Sequence, residues 1–489
     1  MFERWYASRQ TRESAALLER ISDAGRAEAQ AAAQRLVDIG ALFVLRCRDS
    51  GERQDWALDT WEAVAAQVAA ALRCSAAMAS SHLRYAMALR DRLPQLGKAF
   101  QAGDIDYRAF QTVVFRTDLI TDADTLARVD SRLAVLLTRY PSITRGRLAA
   151  AVDQVVASLD RDAVRRAADA ARGRFIDIHS DETGMADVTG TLLAAAGKAL
   201  DGKLDEMAAT VCDADPRTRE QRRADALGAL AAGADRLACD CGSAGCGAGR
   251  QAPRSNVVIH VIAERTSIEG TGTAPGVLMG AQGLISAELV AQLAKSARLQ
   301  PLTLPDGGSE PRYVPSARLA DFVRCRDLTC RAPGCDRAAL DCDLDHTVAY
   351  SQGGRTHPSN VKCLCRKHHL LKTFWGWRDK QLPDGTIIWT LPGGQTYVTT
   401  PGSALLFPSL SAPTGELPSV SCNSKVLSRN REARMPRRVR TRRQNRANRI
   451  NAERSHNRQR RHLAQASVGQ TVTNGGARPR VDPDEPPPF

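Results

Sequence analysis

CRDLTCRAPGCDRAALDCDLDHTVAYSQGGRTHPSNVKCLCRKHHLLKTFWGW, residues 325–377, holds six of the thirteen cysteines and four of the nine histidines of a 489-residue chain. Cys330 and Cys335 flank an Ala-Pro-Gly turn, and Cys365 and His368 form a second pair. Thiolate and imidazole donors in two such pairs suit a tetrahedral zinc closed by four protein ligands, and hence a structural one. Cys363 competes for the second pair. If Cys363-Leu364-Cys365 is extended, only one of its two thiols is expected to face the ion, and Cys365 is preferred because it opens the two-residue gap to His368. Metal binding would then contribute directly to folding.

The rest of the chain is long enough for several domains, since one domain usually takes about 100 to 200 residues. Hydrophobic residues make 43% and charged residues 25%, ordinary globular values that exclude a wholly disordered, collagen-like or mucin-like chain. No run approaches the roughly 18 apolar residues of a spanning helix, and the first residues lack a basic segment followed by an apolar stretch. No membrane association is expected, the expected location is the cytoplasm, and the cysteines are read as reduced thiols and metal ligands.

Residues 14 to 235 are dense in Ala, Leu and Arg, with apolar positions recurring at three and four, which predicts a helical bundle. Breaks are expected near Asp49 to Gln54, Leu93 to Pro94, Gly103 to Asp104 and Tyr140 to Pro141. RFIDIHSDETGMADVTGTL predicts two strands around an Asp-Glu-Thr-Gly turn, with a third strand candidate from Asn256 to Ala263. EAVAAQVAAALRCSAAMASSHLRYAMAL reads as a helical hairpin rather than a DNA-reading pair, and His82 is given no role. Cys239, Cys241 and Cys246 are a candidate second zinc site that lacks a fourth ligand, for which Cys212 and His260 are candidates. The expected divisions are a helical domain over 1–238, a Cys/Gly-rich linker with a strand and helix continuing it over 239–312, the Cys/His domain over 313–405, and a tail over 406–489. Strands built on Pro-Asp-Gly and Pro-Gly-Gly turns should complete the third part, with Trp375, Trp377 and Trp389 in its core.

The formal charge of +14 is concentrated: Lys425 to Arg461 carries fifteen Lys or Arg against two acids. Such a segment cannot bury a core, so a disordered or partly helical arm is expected, able to contact phosphates without regard to sequence. A solvated tail that only raises solubility is the plain alternative.

Asp345-His346, Asn360 and His369 are nested between the two metal-ligand pairs. This order resembles the HNH endonuclease motif, and with RRADALGALAAGADRL (222–237) and YVPSARLADFVRCRDLTCRAPGC (313–335) the chain is similar to actinobacterial proteins that join a helical domain of unknown function to an HNH domain. The fold class implied is multi-domain α+β: a mainly helical N-terminal domain with a small β element, a zinc-containing ββα-metal domain, and a disordered basic tail. The resemblance implies DNA as substrate, His346 as general base, Asn360 as the brace of the loop, and Asp345 and His369 as ligands of a catalytic Mg²⁺, Mn²⁺ or similar ion. Hard oxygen plus one imidazole with open positions suits such an ion, and successive helical side chains diverge by about 100°, so His368 and His369 can serve different metals. Arg366, Lys367 and Lys372 are candidate phosphate contacts. Double-strand cutting would call for a homodimer, and the helical domain for a protein partner. The first pair, spaced by four residues, and His in place of the last Cys depart from the simplest pattern but retain good zinc donors. The alternatives are a catalytically silent, zinc-dependent nucleic-acid-binding protein of a mobile-element or repeat family, and a helical interaction protein with a scaffolding zinc domain.

Overall fold

In the computed structural model the described residues are 12–140, 143–165, 175–180, 185–248, 260–279, 284–295, 297–415 and 434–473. Apolar positions three and four apart fold the first two of these into α1 (Arg12–Ser50), α2 (Thr60–Leu72), α3 (Ala76–Met87), α4 (Pro94–Ala102), α5 (Tyr107–Arg116), α6 (Ala123–Arg139) and α7 (Arg145–Leu159). On α1 the buried line is Ala29, Ala32, Ala33, Leu36 and Ile39, and on α6 it is Leu126, Val129, Leu133 and Leu137. Asp59, Ser75, Asp106 and Asp122 cap their helices by accepting a backbone N–H three residues on, which satisfies donors that a helix start leaves without partners. The helix ends fall at the expected breaks, Pro94 opening α4 and left-handed Gly103 closing it; Pro141 lies outside the described residues. The α2–α3 pair is bent by 110° about left-handed Arg73, more open than the expected hairpin. Among the described residues no single helix is long and apolar enough to cross a membrane.

Next come β1 (Phe175–Ser180) and β2 (Ala186–Thr191), paired antiparallel with Phe175 opposite Thr191; their expected turn, 181–184, lies outside the described residues. After α8 (Ala194–Ala208) and α9 (Arg219–Ala231), β3 (Val261–Ile262), α10 (Arg265–Ile268), β4 (Gly276–Leu278) and β5 (Leu284–Ile285) follow, then α11 (Ala287–Ala294). The third strand candidate thus forms its own sheet, in the order β3-β4-β5, rather than extending β1–β2; residues 256–259 lie outside the described residues. Helix α12 (Ala317–Asp327) leads into the hairpin β6 (Cys342–His346) and β7 (Val361–Cys365), then α13 (Arg366–Phe374) and the meander β8 (Arg378–Gln381), β9 (Ile387–Thr390) and β10 (Thr396–Thr399). Trp377 and, on β9, Trp389 are buried, as expected, while Trp375 donates to the Leu58 carbonyl.

Two apolar cores result, and α2 belongs to both. Val64, Ala65, Val68 and Ala69 enter the core of the helical bundle, whereas Ala63, Ala66 and Ala70 join Phe322, Leu371, Trp377 and Trp389 in the second. Alanine suits a helix buried on two faces, since it lets neighbours approach closely and loses no side-chain entropy.

Of the two forms expected for the basic segment, disordered or partly helical, the described residues take the helical one. Residues 425–433 lie outside the described residues, but α14 (Arg442–Thr473) is a helix seated on the bundle. Ile450 is buried in the first core and Met435 in the second. Arg438 and Arg442 reach Asp59 and Glu62, Arg446 and Arg449 reach Asp118, Arg454 reaches Asp160, and Arg458 and Arg461 reach Asp162. Asn457 donates to the Asp162 and Val164 carbonyls. The positive stripe is matched to carboxylates at the edges of the bundle, a partner that composition alone does not reveal.

Burial would raise the Glu62 carboxyl, but Lys367 at 2.6 Å and Arg442 at 2.7 Å hold it down to about 2, against an ordinary 4.5. A depressed acid stabilises fully above its unfolded value and loses that contribution as pH falls through its folded value. Urea midpoints measured from pH 5 to pH 2 should therefore fall less steeply in Glu62→Gln, by the uptake of about one proton. Equal acid sensitivity in both proteins would show that Glu62 is not coupled to folding.

Candidate active site

The segment after α12 is fixed by a buried ionic network. Arg326 donates to the Pro358 and Val361 carbonyls and to Asp327, and Asp327 accepts the Cys363 amide at 2.8 Å. Arg331 donates to the carbonyls of Gly385, Thr399 and Thr400, tying the first cysteine turn to the meander. In that turn Gly334 is left-handed, φ +72°, and a Cβ there would lie 3.1 Å from the Ala69 carbonyl oxygen of α2. Glycine alone combines that backbone with so close an approach.

Cys330, Cys335, Cys365 and His368 come together, their ligand atoms all within 4.8 Å of one another. His368 presents Nδ1, 3.5 Å from Cys330 Sγ and 3.2 Å from Cys365 Sγ, and Cys335 Sγ lies 3.9 Å from Cys365 Sγ. This group can hold a metal ion. Cys363 is excluded, though not by facing the other way: positions two apart share a strand face. The step of about 6.6 Å between them carries Cys363 to α12, against the Val323 carbonyl. Cys342 contacts the Arg337 and Ala338 carbonyls instead.

On the face of the hairpin toward α13, Asp345 stands opposite Lys362 in register. The Lys362 ammonium is fully buried, 2.7 Å from Asp345 Oδ2 and 2.6 Å from Asp379 Oδ2. Lys372 adds a second ammonium, 2.6 Å from the same Asp345 Oδ2 and 2.5 Å from the His346 carbonyl oxygen. Burial would raise the Asp345 carboxyl, but the two lysines hold it well below the usual carboxylate range. Burial and the neighbouring Lys362 push the Lys372 ammonium down.

Both lysines engage Oδ2, which leaves Oδ1 facing His369 Nε2 at 3.5 Å. His369 Nδ1 lies 2.8 Å from Asp343 Oδ2. A carboxylate accepts only, so Nδ1 carries a hydrogen, and Nε2 is the nitrogen turned toward Asp345 Oδ1. A carboxylate oxygen and a ring nitrogen facing each other can share a cation, and a carboxylate behind a ligating imidazole is the usual way to orient one. Asp345 and His369 are thus the pair that could hold such an ion, against the charge of the Lys372 ammonium beside them.

His346 is oriented by different neighbours. Its Nε2 lies 2.8 Å from Thr356 Oγ1, and the Thr356 hydroxyl donates to the Arg312 carbonyl. That hydroxyl has one hydrogen to give, so His346 Nε2 must be the donor and Nδ1 the unprotonated nitrogen. Burial pushes the imidazole down from its ordinary value, which favours the neutral ring. Tyr313 stacks on His346 at 5.4 Å and Tyr350 meets it edge-on at 5.9 Å.

Asn360 spans the connecting loop: its Oδ1 accepts the Val348 amide at 2.8 Å, and its Nδ2 donates to the Val348 and Arg355 carbonyls. Gly354 beneath it is obligatory, because a Cβ would fall 1.9 Å from the Val348 oxygen. The three basic residues of α13 separate. Arg366 is exposed beside Asp343, Lys367 pairs with Glu62 of α2, and Lys372 turns inward. Of the three expected phosphate contacts, Arg366 is the exposed one, while Lys367 and Lys372 are engaged by acids of the protein.

Residues 23–327 match the Domain of unknown function (DUF222), well over half of the chain. The chain belongs to the DUF222 family. It is similar to the uncharacterized protein Rv3776 of Mycobacterium tuberculosis, 43% identical over 96% of this chain and 94% of that protein. It is also similar to the uncharacterized protein Rv2100 of the same organism, 42% identical over 90% and 88% of the two chains. No solved structure matches. The DUF222 match ends at the last residue of α12, so the Cys/His group of this DUF222 protein begins just beyond it.

Several of the residues that build the site were not singled out from sequence. Asp343 and Lys362 carry a signal, since two-residue alternation puts Asp343 beside Asp345 and hairpin register puts Lys362 opposite. Thr356 lies within the motif without a pattern to mark it, and Tyr313 and Asp379 come from outside it. Lys362→Met would leave Asp345 and Asp379 buried against a methyl group. Losing one partner of a buried ion cluster costs roughly 3 to 5 kcal/mol, and a loss of about 3 kcal/mol or more is expected in urea denaturation. A change under about 1 kcal/mol would mean that Lys372 alone neutralises both acids.

Proposed function

We propose that this protein is a metal-dependent endonuclease of the HNH type that hydrolyses DNA phosphodiester bonds, with Cys330, Cys335, Cys365 and His368 holding a structural zinc. The observation that carries the reading is the pair of oppositely oriented histidines on one ββα unit. Thr356 fixes His346 with Nδ1 free, and Asp343 fixes His369 with Nε2 directed at Asp345 Oδ1.

In this reading His346 Nδ1 takes a proton from a water as that water's oxygen bonds to phosphorus. The P–O ester bond opposite breaks, and the departing oxygen takes a proton from solvent. A Mg²⁺, Mn²⁺ or similar ion held by Asp345 and His369 would offset negative charge at the scissile phosphate. Tyr313 and Tyr350 keep the imidazole plane fixed, Asn360 holds the loop that carries Thr356, and exposed Arg366 is suited to a backbone phosphate. The docked arginines of α14 are matched to acids in the protein, so the arm is not required for the reading. Cutting both strands would take two copies of the site.

One observation favours the second reading, a catalytically silent nucleic-acid-binding protein: the Lys372 ammonium bonds Asp345 and the His346 carbonyl where cation binding is invoked. Supercoiled plasmid incubated with Mg²⁺, Mn²⁺ or EDTA separates the two. The nuclease reading expects ion-dependent nicking or linearisation that falls about 100-fold or more in His346→Ala, with zinc content unchanged. Wild-type protein that binds DNA in a salt-dependent manner but leaves plasmid intact with every ion would establish the silent reading instead.

A further inference from the structure

Outside that site, four thiols from two distant stretches meet. Cys212, after α8, joins Cys239, Cys241 and Cys246, with all four sulfurs within 4.8 Å of one another and Cys212 Sγ 3.5 Å from Cys239 Sγ. His260, the other candidate for a fourth ligand, is not part of this group. We propose that these four cysteines hold a second, structural zinc within the DUF222 region.

The sulfur spacing is the first argument. Four sulfurs at about 2.3 Å from a tetrahedral zinc lie about 3.8 Å apart, whereas a disulfide needs about 2.05 Å. Four soft thiolates with no open position select zinc and make the site structural rather than catalytic. Cys239 and Cys241 can both serve because their stretch is a loop, not the strand that separates Cys363 from Cys365.

The second argument is independent of the cysteines. Among the described residues of 194–248, the buried apolar side chains are Met207, Ala208, Ala226, Leu237 and Cys239, and none belongs to either main core. So little apolar burial does not hold some fifty residues in one arrangement, and small units of this kind are usually stapled by disulfides or metal. The polar scaffold converges on the same place. The fully buried Asp215 carboxylate is clasped by Arg217 through two bonds and accepts the Asp240 amide, between two of the cysteines. Arg217 also donates to the Ala238 carbonyl, and Thr210 accepts the Leu237 amide. Both arms of the loop are thus held with the thiols convergent. Binding replaces up to four thiol protons by one Zn²⁺, with no change of oxidation state.

The test is a zinc count on full-length protein purified with reductant and dialysed free of loose metal. Two zinc ions per chain are expected in the wild type, one in a Cys239→Ser/Cys241→Ser double variant, and one in Cys330→Ser/Cys365→Ser. The zinc kept by the first variant reports that the remainder is folded. In the wild type, Cys212, Cys239, Cys241 and Cys246 should resist iodoacetamide until a chelator strips the metal, a readout that needs no variant to fold. An unchanged count in the Cys239→Ser/Cys241→Ser protein, or free alkylation of the four thiols in zinc-replete wild type, would overturn the proposal. So would a Cys212–Cys239 disulfide found by mass spectrometry. Loss of the other zinc alone would count against the site in the proposed nuclease and leave this one standing.

Discussion

The N-terminus of α2 is the point on which the three parts of this chain depend. Asp59 caps the helix with one oxygen while accepting Arg438 and Arg442, and Glu62, one turn on, receives Lys367 from α13 and Arg442 from α14. A helix start already favours negative charge, so carboxylates placed there stabilise the helix and remain available to cations from elsewhere. The alanine faces of α2 extend the same junction into the interior, one in each core. Neither the bundle nor the Cys/His unit keeps its packing if α2 moves.

This junction explains why the helical bundle was legible in sequence while its assembly was not. Helix periodicity, caps and proline breaks are local signals, and the ends of α1, α4 and α6 fall where those signals put them. The role of α2 is not local: an alanine-rich helix reads the same whether one or two of its faces are covered. The basic segment shows the limit more sharply. Fifteen cations in thirty-seven residues describe a chain that cannot build its own core, which is correct, but not one that lacks a surface to lie on. Asp118, Asp160 and Asp162 supply that surface, some three hundred residues earlier, and no property of the arginine run points to them.

The Cys/His unit was more legible because its chemistry is carried by short spacings. The pairs Cys330–Cys335 and Cys365–His368 converge as their spacing implies, and Cys212 completes the other group of thiols. What spacing could not supply is the layer behind the named residues. Lys362 became visible only through register, and Thr356 only because its hydroxyl has a single hydrogen, so that its bond to the Arg312 carbonyl decides which nitrogen of the His346 ring is protonated.

That layer also bears on how two neighbouring histidines can differ in task. His368 turns Nδ1 into the cysteine group, and His369 turns Nδ1 onto Asp343 and its other nitrogen toward Asp345. The helix divides the two rings by about 100°, and a carboxylate on one side and thiols on the other complete the division. Hard oxygen donors then surround one imidazole and soft sulfur donors the other, donor sets that suit different classes of ion. The buried lysines act on only one of them. By engaging Oδ2 of Asp345 and leaving Oδ1, Lys362 and Lys372 set the charge that any ion there must meet, and they do so from a strand and a helix whose positions are fixed by the Cys/His group and by α2.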